Sequence, residues 1–350
     1  MNPARPRRRL MRVAVAAMAS ALTLSIAACG QDGSSDSADG TTKITVVLPW
    51  YASPEGGGYF AAEAESLYKD KKLDVTLQPG GPQVSATQLV ASGRAQIGHT
   101  DAAGIVQAQQ QGVPVVAIAA FYQDNPVGIL SHKDQGITSF EDMKGKTLGS
   151  QAGALYPVWL DKKLGVPLKT TQYQGSIATF LNDPTLLQQG WPTNEVRQAE
   201  EAGVPVNFMP YSESGFNPYN DVMFTSKDYF DSHQDELKTF LEASMTGWHD
   251  YMTDIDVATK ANEAILEANS EQSPESVWFA WDAQRKFVAT GDGIKQIGAM
   301  TEDRWNTLIA QLTELGQITK PVTAGELYDA TLLPMIASPT ELPPIPAAGN

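Results

Sequence analysis

One cysteine, Cys29, is all the thiol that this 350-residue chain possesses. No disulfide can close within it, and neither a C-x-x-C redox pair nor a thiolate zinc site can be assembled. Histidine is nearly as scarce. His99, His132, His233 and His249 stand far apart with no H-x-x-x-H spacing, and His99 beside Asp101 alone makes a poor metal site. The spacing therefore predicts neither a bound metal nor a cofactor. Nucleophile elbows of the form G-x-S-x-G are missing, as are the glycine loops that cradle dinucleotides or phosphates. Nothing in the motifs asks for an enzyme, although carboxylates alone can hydrolyse glycosides. Positive charge is also short, with 25 Lys and Arg against 40 Asp and Glu and a net charge of −15. That balance argues against nucleic acid as a partner.

Long apolar runs are confined to the start. Arg5, Arg7, Arg8, Arg9 and Arg12 precede the apolar stretch Val13 to Ile26, which is too short and too alanine-rich to span a bilayer. This pattern predicts a secretory signal over residues 1–28, with the general and twin-arginine export routes both left open. Ile26-Ala27-Ala28-Cys29 resembles a bacterial lipobox, which implies cleavage before Cys29 and lipidation of its thiol. Residues 29–41 are small and polar and are expected to form a flexible tether. The five arginines lost with the signal take no acid with them, so the mature chain would carry −20.

The remainder is organised around the stretch Val46 to Phe60. Ile44 to Leu48 reads as a buried strand that Pro49 ends, and an apolar face at Phe60, Ala64, Leu67 and Tyr68 predicts a helix. Trp50, Tyr51, Glu55 and Tyr59 then lie on a loop leaving the carboxyl end of a strand, where α/β sheets bind ligands; an ordinary strand–helix loop is the plain alternative. Further strand–helix units follow: Leu73 to Gln78, Gln96 to Asp101, Thr147 to Ser150, Thr170 to Tyr173, Thr185 to Gly190 and Val206 to Met209 as strands. The run Val115 to Phe121, apolar on both faces, predicts a central parallel strand. Such alternation gives an α/β class. From Ser232 to Leu315 the pattern is helical, with Ser273-Pro274 and Thr301 as helix starts. The tail from Ser338 is proline-rich and predicts loosely packed polyproline II.

Aromatics interleaved with carboxylates recur on the predicted loops. One set is Trp50, Tyr51, Glu55, Tyr59, Thr100 and Asp101; another is Trp191, Asn194 and Glu195, with Gln123 and Ser150 at further strand ends. Two tryptophan faces can sandwich a planar ring, and carboxylates can accept its amino groups. The competing reading makes Trp191 a core aromatic. Trp159, Trp248, Trp278, Trp281 and Trp305 fall on helical spacing and are assigned to the core. Only Arg94 and Arg197 occur between Thr42 and Asp221. The set therefore suits a neutral or cationic ring better than an anion.

Several segments, in order, carry a family resemblance: Leu48-Pro49-Trp50 with Gly57-Gly58-Tyr59, Gly80-Gly81-Pro82-Gln83, Gln88 to Gly93, Gln111 to Val116, Asp142 to Lys146, Gln188 to Glu195, and Gly298 to Thr301 with Arg304-Trp305. From about Lys43 to Tyr328 the chain resembles ABC-importer solute-binding proteins related to thiamine-pyrimidine-precursor binders, within the nitrate/sulfonate/taurine group. The resemblance implies a two-lobed periplasmic-binding-protein-like (type II) fold with a hinged cleft. It puts one lobe at 42–124 and 225–337 and the other at 125–224, hinges near Gln123–Leu130 and Pro218–Phe224, and a tail at 338–350. It implies a monomer anchored by lipid on the extracytoplasmic face of the cell membrane, handing a small-molecule solute to an ABC permease. Trp50, Tyr59, Trp191 and Glu195 fall where the family holds its ligand, whereas Glu55 departs from the usual Asn or His. A thiamine-pyrimidine-like heterocycle is the expected solute, then a flavin, then a sulfonate or nitrate. The family also contains cytosolic pyrimidine synthases with a cysteine-rich motif, and with the lone cysteine in the lipobox no enzyme is expected here. The rival classes are a secreted carbohydrate- or ester-acting enzyme and a tethered sensor.

Overall fold

The structure, a computed structural model, describes residues 40–346. The expected signal, Cys29 and almost all of the tether lie outside the described residues. Ten strands form two sheet bodies. In the first, β1 (Thr42–Val47) pairs in parallel with β2 (Leu73–Gln78), and a bridge from Val46 to Ile97 joins this pair to a three-stranded sheet. That sheet holds β3 (Gly98–Thr100) and β4 (Val115–Tyr122) on either side of β10 (Asn220–Ser226), which runs antiparallel to both. The second body is a five-stranded sheet of β5 (Gly128–His132), β6 (Thr147–Ser150), β7 (Lys169–Gln172), β8 (Leu187–Gly190) and β9 (Val206–Pro210), in the order β7-β6-β8-β5-β9. Here β5 is the antiparallel member, flanked by β8 and β9.

The two sheets repeat one plan. Each antiparallel strand is the one the chain lays down immediately after crossing from the other body: β5 follows β4, and β10 follows β9. The expectation of a central parallel strand at Val115 to Phe121 is corrected on this point. All eight residues of β4 are buried, as its composition demands, yet it lies at an edge and pairs antiparallel with β10. Its outer edge is closed by Tyr328, which bridges Ala117, and by the Gly298 carbonyl, which accepts from the Ala120 N–H. Burial on both faces thus comes from covering, which sequence cannot distinguish from central placement.

Helices pack the first body. Gln234–Thr253, Ile255–Ala268 and Pro274–Val288 bury Phe240, Trp248, Tyr251 and Trp281 completely against Tyr59 and Phe121. Each large side chain removed from water contributes roughly 1.5–3 kcal/mol to the stability of this body. Ser273 caps the last of the three as its sequence predicts, its hydroxyl accepting from the Ser276 N–H. The helix expected through Tyr68 is interrupted: Gly57–Ala64 ends, Ser66 turns to φ +60°, and a short turn Leu67–Asp70 resumes.

The glycines opening that helix have a packing role. A methyl group at Gly58 would sit 2.2 Å from the Trp248 ring, and one at Gly247 would sit 2.4 Å from the Gly58 carbonyl oxygen. Helices Gly57–Ala64 and Gln234–Thr253 therefore meet glycine to glycine. This holds the loop Pro49–Gly56, and with it Trp50 and Glu55, against a fixed base.

Candidate functional site

A cavity of about 330 Å³ opens at the carboxyl ends of the parallel strands of both sheets. Trp50 and Glu55 reach it from the loop after β1, Thr100 and Asp101 from the end of β3, Tyr173 from the end of β7, and Trp191, Asn194 and Glu195 from the loop after β8. Four carboxyl groups line it, Glu55, Asp101, Glu195 and Asp221, with no lysine or arginine among the lining residues. The volume suits a small molecule of one or two rings.

Glu55 lies on the turn Pro54–Gly56, half-buried in the wall. Burial, then the negative charges of Asp221 and Glu195, push its pKa up to about 8. At neutral pH it is mostly a carboxylic acid, able to donate as well as accept. Glu195 is buried and fully engaged. Its Oε1 accepts from Tyr173 Oη at 2.6 Å and Asn194 Nδ2 at 3.1 Å, and its Oε2 accepts from the Trp191 backbone N–H at 2.8 Å. Burial raises its pKa, and the bonds from Tyr173 and Trp191 oppose that shift. These bonds fix the Trp191 loop, so Glu195 acts on the site mainly by holding the tryptophan in place. The Trp191 ring packs edge-on to Tyr122 with centroids 5.6 Å apart, leaving it partly buried on the cavity wall.

Four expected site residues are not brought to the cavity. Tyr51 is 47% exposed and packs edge-on against Trp50. Tyr59 lies fully buried behind the wall, because it belongs to the helix face that packs on Phe121 and Phe240. Gln123 is buried as a structural clasp, its amide donating to the Ala120 and Ala299 carbonyls. Ser150 is buried at the end of β6, and its neighbour Gln151 lines the cavity instead. Asp101 is on the lining, but its Oδ1 is occupied as the cap of helix Ala102–Gln110, accepting from the Gly104 N–H at 2.6 Å.

Other lining residues escape a sequence reading. Tyr173 sits just past a strand end with no motif around it, whereas Gln189 lies within the Gln188 to Glu195 segment without being singled out. Asp221 begins the buried run of β10, and a charge just before the apolar run Val222–Phe224 is its one visible signal. His99, set aside as a metal ligand, is itself on the lining and pairs with Asp221: its Nδ1 lies 2.5 Å from Asp221 Oδ1, and its Nε2 lies 2.8 Å from Tyr59 Oη.

Comparison with known proteins places these features in context. A model of the NMT1/THI5-like family matches residues 53–258. Among curated proteins, a 4-amino-5-hydroxymethyl-2-methylpyrimidine phosphate synthase of Candida albicans is 34% identical over 111 residues, 31% of this chain and 32% of that protein. The Legionella pneumophila protein of the same name is 28% identical over 109 residues, covering 31% and 34%. The matched part is thus about a third of the length of these relatives. Their names correct the expectation that no enzyme is involved, since a synthase is an enzyme; that expectation rested on missing thiol and metal motifs, which do not exhaust catalysis. Among solved structures, the alkanesulfonate-binding protein of Xanthomonas axonopodis, bound to MOPS, superposes with a TM-score of 0.61 at 13% identity, covering 82% of this chain and 97% of that one. The aliphatic sulphonate-binding protein of Escherichia coli gives 0.60 at 12%, covering 88% and 98%. The nitrate-binding protein of Synechocystis gives 0.60 at 11%, covering 83% and 87%. These likenesses establish the two-lobed periplasmic-binding-protein fold of ABC-importer solute-binding proteins.

Proposed function

The chain belongs to the NMT1/THI5-like family, and from that premise we propose that it is a solute-binding component of an ABC importer that captures a small, planar, amino-bearing heterocycle. The observation that carries this reading is the composition of the cavity: two tryptophans, four carboxyl groups, and no lysine or arginine. Any ionised carboxylate there would repel an anionic solute, since unit charges about 4 Å apart interact by roughly 4 kcal/mol at an effective dielectric of 20, and no lysine or arginine offsets it. A ring amino group meets acceptors instead. The lobes proposed are 42–124 with 225–337, and 125–224, closing about the crossings near Gln123–Leu130 and Pro218–Phe224. The lipobox-like segment supports a membrane anchor at Cys29 on the extracytoplasmic face. In this reading the protein works as a monomer and delivers to a permease.

A second reading is favoured by the names of the curated relatives, in which a pyrimidine made in the cavity, not merely held there, is the product. Native mass spectrometry of the purified protein separates the two. A retained aminopyrimidine that exchanges unchanged supports capture, whereas its appearance on incubation with a precursor supports synthesis. Retention of a sulfonate or nitrate alone would overturn the heterocycle assignment. Trp50→Ala and Trp191→Ala should each weaken aminopyrimidine binding by about 10- to 1000-fold with the fold intact; calorimetry showing unchanged affinity in both would remove the stacking role.

A further inference from the structure

Asp221 is only 2% exposed, yet it is on the lining of the cavity. Its Oδ1 is held by His99, while its Oδ2 is buried with no hydrogen-bond partner among the described residues. Leaving a buried carboxylate oxygen unpaired is costly, and native proteins keep such atoms chiefly where something else completes them. The backbone adds a second cost. Asp221 adopts φ +50°, one of only three non-glycine residues with positive φ among the described residues. Such strain concentrates at ligand-binding positions. The Asn220 side chain accepts from the Asp221 N–H and stabilises the kink.

Behind Asp221 the support is unbroken. Burial, with the charge of Asp221, holds the Tyr59 hydroxyl far above its ordinary pKa, so it keeps its proton. Tyr59 Oη lies 2.8 Å from His99 Nε2, and His99 Nδ1 lies 2.5 Å from Asp221 Oδ1, so the contacts run from the core to Asp221 without a break. Apart from Asp221 Oδ2, every side-chain polar atom of these three residues has a partner. We infer that Asp221 is the polar anchor of the site: its free Oδ2 accepts an N–H of the bound solute, which must therefore carry an amino, amidine or protonated amine group. This rests on the reading of the cavity as a solute site and names the functional group that the site selects.

Asp221→Asn preserves size and tolerates positive φ, and it removes the charge. The probes are 4-amino-5-hydroxymethyl-2-methylpyrimidine, its 4-oxo analogue, putrescine, methanesulfonate and nitrate, titrated by calorimetry into wild type and variant. The wild type should prefer the amino over the oxo pyrimidine by about 10- to 100-fold, and the variant should lose most of that preference. An amino probe bound equally by wild type and variant would overturn the anchor while leaving the heterocycle reading intact. Binding of putrescine but not the pyrimidine, lost in the variant, would uphold the anchor and overturn the heterocycle. Binding of only the anions, or of none of the probes, would overturn both. Should the variant not fold, a wild-type amino-to-oxo preference under threefold rejects the anchor.

Discussion

At the residue scale the site turns on carboxyl groups in unlike states. Glu55 titrates near 8 in the folded protein and near 4.5 as a free side chain. Between those values the folded state holds a proton that the unfolded chain has lost. Stability from this group is therefore full below about pH 4.5 and declines as pH rises through about 8. Urea unfolding of the ligand-free protein between pH 5 and 8 should show a steeper fall for wild type than for Glu55→Gln. Equal slopes would mean that the Glu55 carboxyl is not the source. The sequence showed Glu55 and Glu195 as site carboxylates, but not that one is mostly protonated and the other bound to its own loop. The first state depends on burial and on Asp221, remote along the chain, and the second on how the loop folds back on its own carboxylate.

At the element scale, strands and capped helices were legible because their signals are local: apolar runs for β1 and β4, Ser273-Pro274 for the helix it opens. The purpose of Gly56-Gly57-Gly58 was not. Sequence excluded a phosphate loop, but only the partner helix, some 190 residues later, explains Gly57 and Gly58, while Gly56 is set by Leu48 beside it. Gly58→Ala should destabilise by about 1–3 kcal/mol, through a forced displacement of Trp248. A lowered urea midpoint with unchanged m-value would show it; an unmoved midpoint would mean that the two helices separate at no cost. The edge placement of β4 is not legible for the same reason, since the segments that cover its edge are remote in sequence.

At the scale of the whole molecule, the two crossings between bodies are bolted to each other. Asn125 accepts from the Val127 N–H and from Asn220 Nδ2, and donates to the Pro218 carbonyl; its own N–H donates to the Asn217 side chain. Asn125→Ala strips three of these bonds and should cost about 1–3 kcal/mol. It should also enlarge the ligand-free radius of gyration in small-angle scattering and weaken solute binding. An unchanged radius and affinity would show that this cluster does not set the angle between the bodies. The same crossings make the second body an insertion within the first, and this bears on biogenesis. All five strands of the inserted sheet are complete by Pro210, whereas the first sheet lacks its middle member until Asn220–Ser226 has been made, and its core waits for Trp248 and Trp281. A chain emerging from its amino end can therefore finish its middle before its beginning. Through that interval β1 to β4 stand as unsealed, apolar edges, the span of synthesis in which a chaperone has most to protect.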